Sequence, residues 1–256
     1  MTCYSIAVDG KTVGNYAIGD WFNGMLGLAS YLKKQKSDTV TNIGVNIERE
    51  DIVNLFKYAN FNPIRPTLPI TSLHVDNLVN TKSNTYSMWN YFLLRNLTQN
   101  DMFTDFNIEG IVNEDITEDD IIIFPTTNGA ELFNPEIYTS LIDDKFKGNV
   151  YWNKELIPYR DNIPKDARIL SLGLMDLLAT IISKKVRIIG HRSGIFDIFF
   201  HVLPPNNNKI DCVYDIRNEI QMAWQFKATM PYKNISTPIE FYEYIHCRET
   251  FTEIFI

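Results

Sequence analysis

A short segment with two glycines carries the residue types that bind a phosphate group. Residues 190–197 read Gly-His-Arg-Ser-Gly-Ile-Phe-Asp, and Arg192 supplies a fixed cation suited to phosphate oxygens. Ser193 can cap a helix or bond an anion, and Gly194 lets a backbone approach a ligand closely. Asp197 falls in the first turn of the helix predicted to follow, where a carboxylate either bonds the ligand or favours the helix dipole.

A purely structural interpretation of this segment stays open. Ser193 is then only the N-cap of the helix, and Arg192 pairs with Asp197 on the surface. The local pattern does not separate the two interpretations, because capped junctions between a strand and a helix are common.

Polar residues also follow two other predicted strands of the second half. The candidates for ligand binding at those strand ends are Thr126, Thr127, Asn128 and Asn153. Because the carboxyl ends of parallel strands share one edge of the sheet, we expect these residues to line one cleft with residues 192–197. In the alternative, these loops are polar only because water surrounds them.

Asp20 is the candidate catalytic residue of the first half. It follows Gly19 at a predicted junction between a strand and a helix, and its carboxylate could act as a general base on a hydroxyl group. Capping of the helix is the competing role, since aspartate is a preferred cap.

The elements that must position these residues alternate between strands and helices. In the second half, apolar runs predict strands over 121–125, 149–152, 186–190 and 210–214, and helical spacing predicts helices over 135–146, 171–185, from 194 onward, 219–226 and 239–246. In the first half we expect strands over 3–8 and 41–47, helices over 21–34, 50–58 and 86–97, a proline-containing loop over 60–70, and a strand or loop over 106–113. This alternation predicts an α/β fold with a parallel sheet.

An acidic stretch over 113–120 is interpreted as a solvated linker between two domains. The predicted domains are 1–115 and 116–256. A chain of 256 residues with 45% hydrophobic content is large enough for either one large α/β domain or two small ones.

The composition limits the classes of partner. A formal net charge of -7 argues against a general nucleic-acid binder, which relies on an excess of Lys and Arg. No apolar run is long enough to cross a bilayer and no secretion signal is evident, so we expect a cytoplasmic protein, compatible with a peripheral contact with a membrane.

The metal-binding residue types show no site. The three cysteines are far apart, and the four histidines lack the paired spacing of metal ligands. Free thiols, no bound metal and no cofactor are therefore expected.

The stretch from Ile189 to Asp197 resembles the G-x-R-S-G-x-x-D stretch of bacterial polysaccharide-biosynthesis glycosyltransferases of the GT-B type. Residues 124–128, Phe-Pro-Thr-Thr-Asn, are similar to the loop that opens the second Rossmann-like domain of that family, and residues 150–153 are similar to its V-Y-x-N strand. Gly19 and Asp20 are similar to the start of the heptosyltransferase-like first domain. The resemblance covers most of the second half and a short piece of the first.

The resemblance implies two Rossmann-like domains of the GT-B type, the first of them reduced, since the chain is short for two such domains. It implies metal-independent transfer of a sugar from a nucleotide-sugar donor to a hydroxyl of a glycan or lipid-linked acceptor, in bacterial surface glycan biosynthesis. Arg192, Ser193 and Gly194 would contact the donor diphosphate, and Asp197 would bond the donor or brace the loop. Asp20 would be the base. Residues 126–128 and Asn153 would face the donor.

Two other function classes remain alternatives. One is a non-catalytic scaffold of the same fold that binds a glycan or a nucleotide. The other is a nucleotide-processing α/β enzyme that transfers no sugar. Turnover of the donor that depends on Asp20 separates the glycosyltransferase from the scaffold.

Overall fold

In the computed structural model the chain forms two compact units, the first of Met1–Asn107 with Ala223–Phe241 and the second of Ile108–Met222 with Tyr242–Ile256. The residues that the structure describes are 2–5, 18–34, 43–46, 50–56, 61–63, 75–76, 99–125, 135–153, 165–191, 194–204, 207–214 and 251–255. The predicted helices over 86–97, 219–226 and 239–246 lie outside them.

The first unit contains a parallel sheet of four strands. The strands are β1 (Thr2–Ser5), β2 (Ile43–Asn46), β3 (Phe61–Pro63) and β4 (Val75–Asp76). They lie in the order β3-β2-β1-β4, and each neighbouring pair is parallel. The described helices of this unit are α1 (Ile18–Lys34) and α2 (Glu50–Leu55), and a 3₁₀ turn spans Gln99–Asp101.

The core of the first unit forms on one face of α1. Phe22, Met25, Leu26 and Ala29 are fully buried, at the spacing that places residues on one side of a helix. The ring of Phe56, the residue directly after α2, lies 5.5 Å from that of Phe22, between centroids, so an aromatic contact joins the end of α2 to this face.

The loop predicted over 60–70 is wrong at its start, because β3 occupies Phe61–Pro63. The prolines of this stretch predicted a loop, since proline cannot donate a backbone hydrogen bond. Among the described strands β3 lies at the edge of its sheet, where a missing donor is tolerated, and Pro63 is its last residue.

The second unit contains a parallel sheet of six strands. They are β5 (Ile121–Phe124), β6 (Val150–Asn153), β7 (Arg168–Leu170), β8 (Arg187–His191), β9 (Ile210–Tyr214) and β10 (Phe251–Phe255). Its described helices are α3 (Pro135–Thr139), α4 (Leu174–Lys184) and α5 (Gly194–Val202). The predicted α/β fold with a parallel sheet is confirmed.

The strand order of this sheet is β7-β6-β5-β8-β9-β10. Counted along the chain from β5, this is the doubly wound order 3-2-1-4-5-6. All four residues of β5, at the centre, are buried, as expected for a strand covered on both faces. The chain therefore builds one side of the sheet from β5 to β7, and the other side from β8 to β10.

Helix α3 is shorter than predicted. The apolar pattern predicted a helix over 135–146, but α3 ends at Thr139 and the chain continues in turns. In one turn Asp143 accepts a hydrogen bond from the amide of Lys145 through its carboxylate and from the amide of Phe146 through its carbonyl oxygen. These bonds offer the backbone an alternative to the helix.

The acidic stretch over 113–120 is not a solvated linker throughout. Asp120 is 1% exposed, and its carboxylate accepts hydrogen bonds from the amide and the hydroxyl of Thr117 and from the amide of Asn149. The stretch thus ends in a turn that holds the start of β5 beside the residue that precedes β6.

Residues 110–114 also belong to the second unit through contacts with α4. The amide of Ile111 donates to Asp176 Oδ1 at 2.7 Å, and the amide of Asn113 donates to Thr180 Oγ1 at 3.0 Å. Lys184 and Glu114 form an exposed ion pair. Asp176, Thr180 and Lys184 follow one another at the spacing of one helix face.

Among the described helices, none combines the length and the apolar content needed to cross a membrane.

Candidate functional site

The strand order of the second unit places a crevice beside its two central strands. The chain leaves β5 toward β6 on one side and leaves β8 toward β9 on the other. In an open doubly wound sheet, the connections at the carboxyl ends of two such strands diverge, and ligands bind in the space that they leave. We therefore take the carboxyl edge of β5 and β8 as the candidate site.

The two central strands end at the same level. Phe124, the last residue of β5, pairs with Gly190 of β8. On the other side of β5, Ile123 pairs with Trp152, so Asn153 follows one position later at the end of β6. The register of the parallel sheet thus fixes the ends of β5, β6 and β8 relative to one another.

Helix α5 begins shortly after the end of β8, and the backbone amides of its first turn belong to the candidate site. Gly194 is its first residue and Asp197 lies in its first turn, as the sequence predicted. The first amide groups of a helix have no partner within it and carry the positive end of the helix dipole, so they favour an anion. The Asp197 side chain lies outside what the structure describes.

Asn153 lies at the end of β6 and is fully buried. It pairs with Leu170 on β7, the strand on its outer side. The position agrees with the expectation that Asn153 shares one sheet edge with the loop after β8. A buried amide of this kind can contact only a ligand group that itself reaches the end of the strand.

Aromatic side chains hold α5 against the central strands. The ring of Phe124 lies 4.9 Å from that of Phe199 and 6.3 Å from that of Phe196, between centroids, and both pairs meet edge to face. All three side chains are fully buried. The strand end and the first turns of the helix are therefore packed as one apolar layer beneath the candidate site.

Several predicted site residues fall outside the described residues. These are Thr126, Thr127 and Asn128 after β5, and Arg192 and Ser193 between β8 and α5. In the sequence they follow closely after the ends of β5 and β8.

Asp20 belongs to the first unit and lies inside a helix. The sequence predicted that the helix begins at Trp21, but α1 begins at Ile18, so Gly19 and Asp20 form its first turn. A carboxylate in the first turn of a helix is stabilised by the helix dipole. Asp20 is thus the third residue of α1, inside the helix rather than at its N-cap, which precedes the first helical residue.

Gly190 is the site residue that the sequence did not single out. It lies within the apolar strand β8, where the absence of a side chain marks a close approach of another group. The available signal was a lone glycine directly after the apolar pair Ile188 and Ile189.

The described residues contain no group of three or more His, Cys, Asp or Glu side chains able to hold a metal ion. Comparisons with protein-family models, with curated proteins and with solved structures find no match to this chain.

Proposed function

We propose that this protein is a glycosyltransferase that binds a nucleotide-sugar donor at the carboxyl edge of β5 and β8 and transfers the sugar to a hydroxyl group. The observation that carries the proposal is the position of the segment over 187–202, in which Arg192 and Ser193 stand between β8 and α5 in the sequence. That segment lies at the point where the strand order of a doubly wound sheet reverses.

The strand order of the first unit supports a pair of Rossmann-like domains as in the GT-B type. Counted along the chain from β1, its four strands follow the order 3-2-1-4, which is the beginning of the doubly wound order. In this proposal the second unit binds the donor, and the first unit binds the glycan or lipid-linked acceptor. The metal-independent reaction belongs to bacterial surface glycan assembly.

The donor diphosphate is the part of the ligand that the edge residues recognise in this proposal. Arg192 and the first amides of α5 at Gly194 neutralise its charge, and Ser193 donates a hydroxyl hydrogen bond. Residues 126–128 and Asn153 contact the rest of the donor, and Asp197 braces the loop.

The transfer step follows from the same assignment. The acceptor hydroxyl oxygen forms a bond to the anomeric carbon of the sugar while the bond from that carbon to the diphosphate oxygen breaks. Asp20 takes the proton of the hydroxyl, and the nucleoside diphosphate leaves with the bonding electron pair. Arg192 and the helix N-terminus stabilise the negative charge that develops on the leaving group.

A second candidate function is a non-catalytic protein that binds a nucleotide or a glycan with the same edge. The position of Asp20 in the first turn of α1 favours it, because stabilisation by the helix dipole accounts for that residue without catalysis. Release of nucleoside diphosphate from a bound donor separates the two functions.

The test is a thermal-shift and calorimetric screen with nucleoside diphosphates and nucleotide sugars, on the full chain and on Arg192→Ala. A ligand that binds only the folded state raises its apparent stability, by about 2.7 kcal/mol at a concentration near 100 times Kd. Arg168→Ala is the matched control, since Arg168 is exposed at the start of β7, on the opposite edge of the sheet.

We expect one class of nucleotide sugar to stabilise the full chain and the Arg168 variant alike, and to bind Arg192→Ala more weakly. Binding that is equal in both variants would remove Arg192 from the site. No binding across the panel would remove the proposed function.

A further inference from the structure

Gly190 lies in the middle of the six-stranded sheet at the level of the candidate site. It pairs with Phe124 of β5 on one side and with Cys212 of β9 on the other. Because the side chains of a strand point out of the plane of its sheet, any atom added to Gly190 has to fit against Phe124 and the Phe196 ring of α5.

The surroundings of Gly190 leave no room for a side chain. A methyl group built on it would lie 2.5 Å from the carbonyl oxygen of Phe124, 2.9 Å from Cβ of Phe124 and 2.8 Å from Cε2 of the Phe196 ring. All three distances are shorter than a van der Waals contact between such atoms. The first two neighbours belong to β5, and the third to the first turn of α5.

Phe196 connects this close approach to the helix start. It is the third residue of α5 and is fully buried, and its ring meets those of Phe124 and Phe199. How far the Phe196 ring reaches toward the sheet sets the distance between the first turn of α5 and the ends of β5 and β8. That distance is available only because Gly190 has no side chain.

We infer that Gly190 is a positioning residue for ligand binding. Because Gly190 leaves room for the Phe196 ring, it sets the distance between the first turn of α5 and β5. At that distance the amides of the helix bind the diphosphate of a nucleotide. The inference rests on the proposed function, because it concerns the same edge of the sheet. Gly190 touches no ligand itself and acts through Phe196 and the helix backbone.

The experiment compares Gly190→Ala with a matched glycine variant far from the site. A methyl group on Gly148 would likewise meet a carbonyl oxygen, that of Asp119, and a phenylalanine ring, with Phe146 Cζ at 2.8 Å. Gly148 precedes β6, so it lies at the amino edge of the same sheet, opposite the candidate site. Both variants overpack the same unit with one methyl group, and only one of them disturbs α5.

The readout is the Kd for ADP, GDP, UDP, CDP and TDP, measured by calorimetry on the full chain at a temperature where circular dichroism shows each variant to be folded. We expect Gly190→Ala to raise the Kd of the bound nucleotide about tenfold or more, since a small displacement of a binding group has a large effect. We expect Gly148→Ala to lower the melting temperature and to leave the Kd unchanged.

Phe196→Leu is the second variant, and it decides the question if Gly190→Ala does not fold. It keeps an apolar side chain but removes the ring edge that rests on Gly190, and we expect a smaller rise in Kd in the same direction. Unchanged Kd in the folded Gly190 variant or in Phe196→Leu would overturn the inference and leave the proposed function standing. An equal rise in the Gly148 variant would also overturn it. Failure of the unaltered chain to bind any of these nucleotides would remove the proposed function and the inference together.

Discussion

Arg187 and Asp211 form an ion pair across the neighbouring strands β8 and β9, in which Nε of the arginine lies 2.6 Å from Oδ2 of the aspartate. The aspartate side chain is 3% exposed and the arginine side chain 22%. A second guanidinium nitrogen of Arg187 donates to the carbonyl oxygen of Leu141, at 3.1 Å, so the pair also ties the turn after α3 to the sheet.

Asp211→Ala is expected to lower the free energy of unfolding by about 3 kcal/mol, because it leaves the guanidinium partly buried without its partner. The double variant Arg187→Met with Asp211→Leu should lose less than the single variants Arg187→Met and Asp211→Leu added together, since an apolar pair leaves no charge behind. The four proteins of this cycle are the unaltered chain, these two single variants and the double variant. Urea unfolding of the four proteins measures the coupling. Additive losses would mean that the two charges do not stabilise each other.

Tyr138 gives the protein a dependence on alkaline pH. Burial of its side chain, and next the charge of Cys212, raises the pKa of Tyr138 above its usual range. In the unfolded chain the phenol ionises near pH 10, while the folded chain keeps its proton, so the folded state binds more protons above that pH. The contribution is fully present below about pH 10 and is lost as the pH rises through the raised pKa.

The free energy of unfolding is expected to fall less steeply above about pH 10 in Tyr138→Phe than in the unaltered chain. The difference between the two slopes is up to about 1.4 kcal/mol for each pH unit. The phenyl ring keeps its edge-to-face contact with Trp152, whose ring centroid lies 6.0 Å away. Denaturant unfolding at a series of pH values, on both proteins, makes the comparison. Parallel curves for the two would show that Tyr138 does not contribute to the alkaline loss.

Asp120 stabilises the turn that starts the six-stranded sheet. In Asp120→Ala the amides of Thr117 and Asn149 lose their acceptor, and we expect a loss of about 2 to 3 kcal/mol in the free energy of unfolding. The exposed neighbour Asp119 is the control, and Asp119→Ala should change stability by less than about 0.5 kcal/mol. Similar losses in the two variants would show that the loss of an acidic charge, rather than the hydrogen bonds, is responsible.

The general fold follows from the sequence because the relevant signals are local. The apolar run 121–124 and the helical spacing in α4 are visible without any partner, and their alternation predicts a parallel sheet. The order of the strands is not local, since it depends on which apolar faces meet after the chain has collapsed. The pairing of Arg187 with Asp211 is hidden for the same reason, because only the register of β8 and β9 brings them together.

The sequence predicted the helix start beside the candidate site, but not the residues that pack beneath that helix. Gly194 and Asp197 mark a helix start by their type and spacing, so the edge at α5 was predictable. The role of Gly190 depends on Phe124 and Phe196, which approach it only in the folded sheet. Asp120 appeared to be a solvated acid because its partner Asn149 is distant in the sequence.

Asp20→Asn tests whether the first unit contributes a base. The substitution keeps the size of the side chain and removes its ability to accept a proton, so we expect the transfer rate to fall about hundredfold or more while the donor Kd stays unchanged. Release of nucleoside diphosphate and calorimetry with the donor measure the two quantities. Asp51→Asn is the matched control, because Asp51 also lies in the first turn of a helix of the same unit. The transfer requires a base, whereas the helix requires only a favourable side chain in its first turn. A full transfer rate in Asp20→Asn, together with a loss of stability equal to that of Asp51→Asn, would therefore assign Asp20 to the helix dipole alone.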